Sequence, residues 1–255
     1  MKISVLTPSF NSAKYIERAI QSVVSQDYKD WEHIVVDGGS TDGTVEILKS
    51  YRHLNWISEP DKGQSDAMNK AFRLSTGDIV IFLNSDDELA SGYLTHLNVA
   101  FHNYPDADMI VSNLYINRMG EIHVRRASVN LKDILRHDRF KFPLNPVSYA
   151  YKRSLQIAVG PFPVTNHFTM DYWFLLRAYR IGKIVKSEDY AGTFYFDGTN
   201  KSSDFERAMN DLRKVRNKFL IRYFYSPSVI IFLIRQLAQC KGLRSLRSRL
   251  EAQMK

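Results

Sequence analysis

The run Ile79-Val80-Ile81-Phe82-Leu83-Asn84-Ser85-Asp86-Asp87-Glu88 constrains the chain more than any other stretch. Five apolar residues in a row are what a strand needs when both faces of its sheet are covered, as in the middle of a parallel α/β sheet. Five residues with no apolar member follow at once. In open α/β sheets, ligands bind at the carboxyl ends of strands. Two adjacent carboxylates at such an edge repel each other unless a cation lies between them. An all-oxygen donor set suits a hard divalent ion such as Mg²⁺ or Mn²⁺. The competing reading is a solvated acidic turn that caps the next helix, because Asp is common at turns and N-caps.

The flanking sequence repeats a strand-helix rhythm. Residues 3–7 read as a first strand, and Asn11 or Ser12 is placed to cap a helix with Ile16, Ala19, Ile20, Val23 and Val24 on one face. Residues 33–37 read as a second strand, broken by Gly38-Gly39-Ser40-Thr41-Asp42-Gly43-Thr44 before a short helix. Residues 54–57 form a third strand, Glu59-Pro60-Asp61-Lys62-Gly63 a loop, and residues 65–74 a helix leading into the 77–83 strand. Alternation of this kind predicts a parallel, nucleotide-binding sheet. The strand ends Pro8-Ser9, Asp37-Gly38-Gly39 and Asp86-Asp87 should line one edge. Neither the G-x-G-x-x-G dinucleotide spacing nor a G-x-x-x-x-G-K-[ST] phosphate loop is present.

Three ordered segments now carry a resemblance. Val5-Leu6-Thr7-Pro8-Ser9-Phe10-Asn11, Val35-Val36-Asp37-Gly38-Gly39-Ser40-Thr41-Asp42-Gly43-Thr44 and Asn84-Ser85-Asp86-Asp87 resemble the successive signatures of glycosyltransferase family two. Glu59-Pro60-Asp61-Lys62-Gly63 through Asp66-Ala67-Met68-Asn69-Lys70 is similar to the branch that builds bacterial surface polysaccharides. The resemblance is dense over the first hundred residues or so and sparse beyond. It implies a GT-A type α/β fold, with a mostly parallel nucleotide-binding sheet flanked by helices. It also implies a nucleoside-diphosphate sugar donor (a UDP-sugar favoured over a GDP-sugar), a Mn²⁺ or Mg²⁺ cofactor and inversion at the anomeric carbon. By the same resemblance Thr7, Pro8 and Ser9 border the base and ribose, Asp37 helps hold the base, and Asp66 faces the donor. Gly38 replaces the second acid of the strand-two pair, which leaves the choice of nucleotide open. Asn84 takes the first slot of the acidic element, so Asp87 is the expected metal ligand with Asp86 beside it.

In the second half, residues 93–101 read as a helix, 108–114 and 121–126 as a hairpin around Asn117-Arg118-Met119-Gly120, 131–137 as a short helix and 147–151 as a strand. Apolar spacing makes residues 172–179 a helix with Asp171 in its first turn. Any Asp there complements the helix dipole. The resemblance gives Asp171 a further role, as the catalytic base that takes the acceptor hydroxyl's proton. Met170 stands where relatives carry a first acid, so Asp171 acts alone. Residues 190–197 read as a strand leading to Gly198-Thr199-Asn200-Lys201-Ser202-Ser203, similar to a loop that closes over the donor diphosphate. Lys201 is the candidate phosphate contact there.

Charge divides the chain. Residues 207–255 hold 12 Lys/Arg against two acids, a net of +10, whereas residues 1–206 hold 23 against 25, a net of −2. The expected organisation is a catalytic unit at 1–203, split into a nucleotide-binding half (1–103) and an acceptor half (104–203), with a helical basic extension at 204–255. Within that extension Val229-Ile230-Ile231-Phe232-Leu233-Ile234 is apolar but too short to span a bilayer. Apolar residues beside Arg and Lys fit an element lying on an anionic leaflet, or a helix packed on the domain with a solvated basic face. The basic part lacks the interleaved aromatic platforms of a nucleic-acid binder. Cys240 is the single cysteine, which excludes an intramolecular disulfide framework and a cysteine-rich zinc site. Residues 1–8 read as a strand and not as a signal peptide. With the enzyme that the resemblance implies, these features predict a cytoplasmic location, with attachment at the inner face of the membrane as an open alternative. Its acceptor would be a hydroxyl of a lipid-linked or free saccharide. Two other functions stay open on the sequence. A nucleotidyltransferase would need a triphosphate loop that Pro8-Ser9-Phe10-Asn11 does not supply. A catalytically inactive nucleotide-sugar-binding scaffold would fit the departures at Gly38, Asn84 and Met170.

Overall fold

The computed structural model describes residues 1–136, 142–143, 145–198 and 205–239. The Lys201 expectation and residues 240–255 of the basic extension lie outside this set. Nine strands of the described residues form one sheet. Its first part is parallel: β3 (Asn55–Ser58), β2 (Trp31–Asp37), β1 (Ile3–Ser9) and β4 (Ile79–Phe82) lie side by side in that order. Ser9 is level with Asp37, and Asp37 with Ser58, so the three strand ends finish together. Beyond β4 the sheet becomes mixed. β8 (Tyr149–Lys152) runs antiparallel to β4 and to β6 (Met109–Arg118), and β9 (Ile184–Phe196) runs parallel to β6. β7 (Glu121–Arg125) completes the predicted hairpin on β6. The two-residue β5 (Glu88–Leu89) pairs with β9.

Strand alternation explains the layers. Ile3, Val5, Ile79 and Ile81 face one side, where Ala19 and Val23 of α1 (Ile16–Val24) and Leu94, Leu97 and Phe101 of α4 (Tyr93–Asn103) cover them. Leu6, Val80 and Phe82 face the other side. There they meet Ala67, Met68 and Ala71 of α3 (Gln64–Leu74) and Phe174, Leu175 and Ala178 of α7 (Met170–Ile181). Aromatic rings fill the α7 interface. Phe174 packs on Tyr151 at 4.8 Å and on Phe162 at 5.3 Å between ring centroids.

Helices α2 (Thr44–Lys49), α5 (Leu131–Arg136) and α6 (Arg153–Val159) complete the outer shell. The basic extension is not set apart from this core. α8 (Phe205–Arg222) and α9 (Pro227–Gln239) place Leu212, Phe219, Tyr223, Val229 and Phe232 in the same apolar cluster as α7. Pro227 separates the two helices and opens the second, where its missing N–H is tolerated.

Candidate active site

The carboxyl edge of β1, β2 and β4 opens into a cavity of about 810 Å³. Pro8 and Ser9 come from the end of β1, Gly38 from β2, and Asn84, Ser85 and Asp86 from the loop after β4. Met170 and Asp171 close the opposite side from the start of α7. Residues placed far apart in the chain therefore meet because consecutive strands end together and α7 packs across their edge.

The acidic loop is fixed from three directions. Asp87 is wholly buried, and each of its described bonds is accepted from a neutral donor. Asn84 Nδ2 donates to Oδ2 at 3.0 Å, Asn145 Nδ2 to the same oxygen at 2.7 Å, and the Tyr195 N–H to Oδ1 at 3.1 Å. Burial, and then the charge of Asp86, push the Asp87 carboxyl upward, while these three donors pull it back. Arg18 of α1 donates to the Asp86 backbone carbonyl, and its guanidinium lies 3.5 Å from the centre of the Tyr195 ring. Ser85 and Ser12 share a hydroxyl bond of 2.8 Å. The result is a loop in which Asp87 faces inward and Asp86 faces the cavity. Asp87 is the residue expected as metal ligand; here Asn84, Asn145 and β9 take up both of its oxygens, and Asp86 lines the cavity.

Asp171 lies largely buried on the cavity wall. Its Oδ1 accepts the Tyr172 N–H at 2.7 Å, and burial raises its carboxyl to about 6. The turn before it is pinned from α3. Ser65 donates to the Asn166 carbonyl at 3.1 Å, and Asn166 Oδ1 accepts the Thr169 N–H at 2.9 Å. Tyr149 of β8 faces the same carboxylate, whose charge adds to burial in raising the phenol. A partly buried carboxyl raised towards neutrality on a cavity wall is suited to accepting a proton.

Other residues singled out by sequence divide. Pro8 and Ser9 line the cavity, and the buried Ser9 hydroxyl has no hydrogen-bond partner among the described residues. Thr7 does not reach it: its hydroxyl is buried against His33 Nε2 at 2.9 Å, and burial lowers that imidazole to about 3. Asp37 also points away. Its Oδ2 accepts the Gly39 and Ser40 N–H groups at 3.1 and 2.8 Å and the Ser58 hydroxyl at 2.7 Å, so it shapes the glycine turn. Asp66 turns towards the start of its own helix, accepting the Lys62 N–H at 3.2 Å with Lys70 Nζ at 3.7 Å. Three residues without a predicted role belong to the site: Phe10 and Asp61 on the cavity wall, and Asn145, which lines it and holds Asp87. Phe10 carried a signal, as a large aromatic in a polar loop. Asn145 carried none.

A parallel half-sheet, a mixed second half and an acidic loop at the shared edge define a GT-A type α/β protein. The glycosyltransferase family 2 model matches residues 4–180, and the chain belongs to that family. Among relatives, TuaG of Bacillus subtilis, which carries the name of a teichuronic acid biosynthesis glycosyltransferase, is 42% identical over 92 residues, covering 34% of this chain and 36% of that protein. A Mycobacterium tuberculosis PGL/p-HBAD biosynthesis glycosyltransferase is 27% identical over 184 residues, covering 69% of each. The matched segments span between 17% and 36% of the first three curated relatives. Among solved structures, Staphylococcus aureus TarS 1-349 in complex with UDP-GlcNAc superposes with a TM-score of 0.65 at 22% identity, covering 89% of this chain and 73% of that one. The mannosyltransferase PcManGT from Pyrobaculum calidifontis, in complex with GDP-Man and Mn²⁺, gives 0.59 at 17%, covering 98% and 79%. These likenesses establish the fold.

Proposed function

We propose that the protein is an inverting, metal-dependent glycosyltransferase. It moves one sugar from a nucleoside-diphosphate sugar, a UDP-sugar first among them, to a hydroxyl of a saccharide in surface-polysaccharide synthesis. The observation that carries this reading is the shared cavity of Asp86 and Asp171, one from the strand end and one from the facing helix. Asp171 takes the proton of the acceptor hydroxyl while that oxygen bonds to the anomeric carbon. The bond from that carbon to the diphosphate oxygen breaks with its electron pair leaving on the diphosphate, and attack from the opposite face inverts the centre. Ser9 offers its unpartnered hydroxyl to the nucleoside, and Phe10 offers a ring face.

Asp86, not Asp87, is the residue that would hold a divalent ion. Its carboxylate lines the cavity, whereas both Asp87 oxygens are bonded inside the loop. Among the described residues no three His, Cys, Asp or Glu side chains cluster as a metal cage. An ion such as Mg²⁺ or Mn²⁺ takes one or two carboxylates and completes its shell with substrate phosphates and water. Such an ion, when bound, neutralises charge on the departing diphosphate.

A screen of uridine, guanosine, cytidine and adenosine diphosphates by thermal shift, with and without Mn²⁺, tests the reading. A melting-temperature rise with one nucleotide that needs the metal is expected. No shift with any of them contradicts the donor assignment and favours the scaffold reading.

A further inference from the structure

The strand-two pair lacks its second carboxylate at Gly38, yet the cavity at that position is not without one. A Cβ built on Gly38 would stand 2.7 Å from Asp61 Oδ2 and 3.3 Å from Phe10 Cδ2. Gly38 is not among the glycines held at positive φ, so its backbone would accept a side chain. What leaves no room is the Asp61 carboxyl, which reaches in from the loop after β3 and fills the space. Both residues line the cavity, and the Phe10 ring beside them is 63% exposed.

We infer that Asp61 is the residue that reads the nucleobase, a carboxylate supplied from the Glu59–Gly63 loop in place of one on strand two, and that it selects uracil. This rests on the reading of the cavity as a nucleoside-diphosphate-sugar site. The two oxygens of Asp61 are not equivalent. Oδ1 accepts the Gly63 N–H at 2.7 Å, whereas Oδ2, the oxygen that faces Gly38, has no protein donor among the described residues. One oriented acceptor matches the single ring N–H of uracil. Guanine presents two adjacent donors and is best met by both oxygens of a carboxylate. Cytosine and adenine present an unprotonated ring nitrogen beside the amino group, which a carboxylate repels. A base held by Oδ2 also lies beside the Phe10 ring, where stacking adds to affinity without choosing among bases. The arrangement explains why Asp37, the remaining acid of the strand-two pair, is free to organise the glycine turn.

Calorimetric titration of uridine and cytidine diphosphates with Mn²⁺ tests this in three proteins: the parent, Asp61→Asn, and Gly38→Asp with Asp61→Ser. In Asp61→Asn the amide oxygen keeps the Gly63 bond and the amino group replaces the reading oxygen. Uridine diphosphate should weaken roughly 10- to 100-fold, as expected for loss of a hydrogen bond to a charged group. Cytidine diphosphate should not weaken and should gain relative to it, because cytosine N3 accepts. The double variant returns a carboxylate from strand two while serine retains an acceptor for Gly63, and should recover uridine diphosphate binding. Unchanged uridine preference in Asp61→Asn overturns the inference. So does equal loss of both nucleotides without recovery in the double variant, which would make Asp61 a loop-shaping residue. A parent that binds neither nucleotide instead overturns the donor reading on which the inference stands.

Discussion

At the scale of single residues, Asp171, as the proposed base, sets how the reaction should answer to pH. Burial raises its carboxyl to about 6, and only the deprotonated form can accept a proton. The rate should therefore rise as pH passes upward through about 6 and level off above it, with roughly a tenfold loss per unit well below. Following kcat/KM for the acceptor between pH 4.5 and 8 checks this, since that quantity reports the free enzyme. A profile flat across pH 6 contradicts the assignment of Asp171 as base. The cavity positions of Ser9, Asp86 and Asp171 were legible in the sequence because strand ends and helix starts fix where a side chain points. The bonds that Thr7 and Asp37 make inside the fold were not, since a single turn of backbone decides which neighbours such a side chain meets. Asp61 was unreadable as a partner of Gly38 because two loops from different strands meet only in the folded chain.

At the scale of elements, Asp87 ties the end of β4, the 145–148 turn and β9 together. Replacing it by alanine leaves the Asn84 and Asn145 amides and the Tyr195 N–H without their acceptor. Each buried donor left unpaired costs about 1–3 kcal/mol. Partial relaxation and water entry lower the total, so Asp87→Ala should lose about 2–4 kcal/mol in urea unfolding. A variant as stable as the parent contradicts the keystone role. The longer elements were readable from periodicity, α7 and the β6–β7 hairpin among them. Two short ones were not: β5 has two residues and no period, and α6 has seven. β5 exists because Gly192 allows β9 to approach, since a Cβ there would overlap the Glu88 carbonyl oxygen. Such a close approach between distant segments leaves only an isolated glycine in the sequence.

Across the whole molecule, charge and apolar exposure coincide on one region. Ile221, Phe224 and Tyr225 after and within the end of α8 are 73%, 64% and 65% exposed, and Ile234 of α9 is 59% exposed. Lys218, Arg222 and Arg235 stand exposed among them. No helix among the described residues is long and apolar enough to cross a membrane. Apolar side chains ringed by cations suit attachment to an anionic bilayer, where a lipid-linked acceptor would present itself. The protein should sediment with phosphatidylglycerol vesicles at low salt and release as salt rises. Serine at 221, 224 and 225 together should abolish sedimentation, and failure of the parent to sediment rules the attachment out. The proposed reaction requires two carboxylates with separate duties in one cavity. Its most direct test is calorimetric titration of uridine diphosphate, with and without Mn²⁺, into the parent, Asp86→Ala and Asp171→Asn. The account predicts metal-dependent binding in the parent, loss of that dependence in Asp86→Ala, and parent-like binding in an Asp171→Asn protein that no longer transfers sugar. Parent-like, metal-dependent binding in Asp86→Ala, or lost binding in Asp171→Asn, would contradict it.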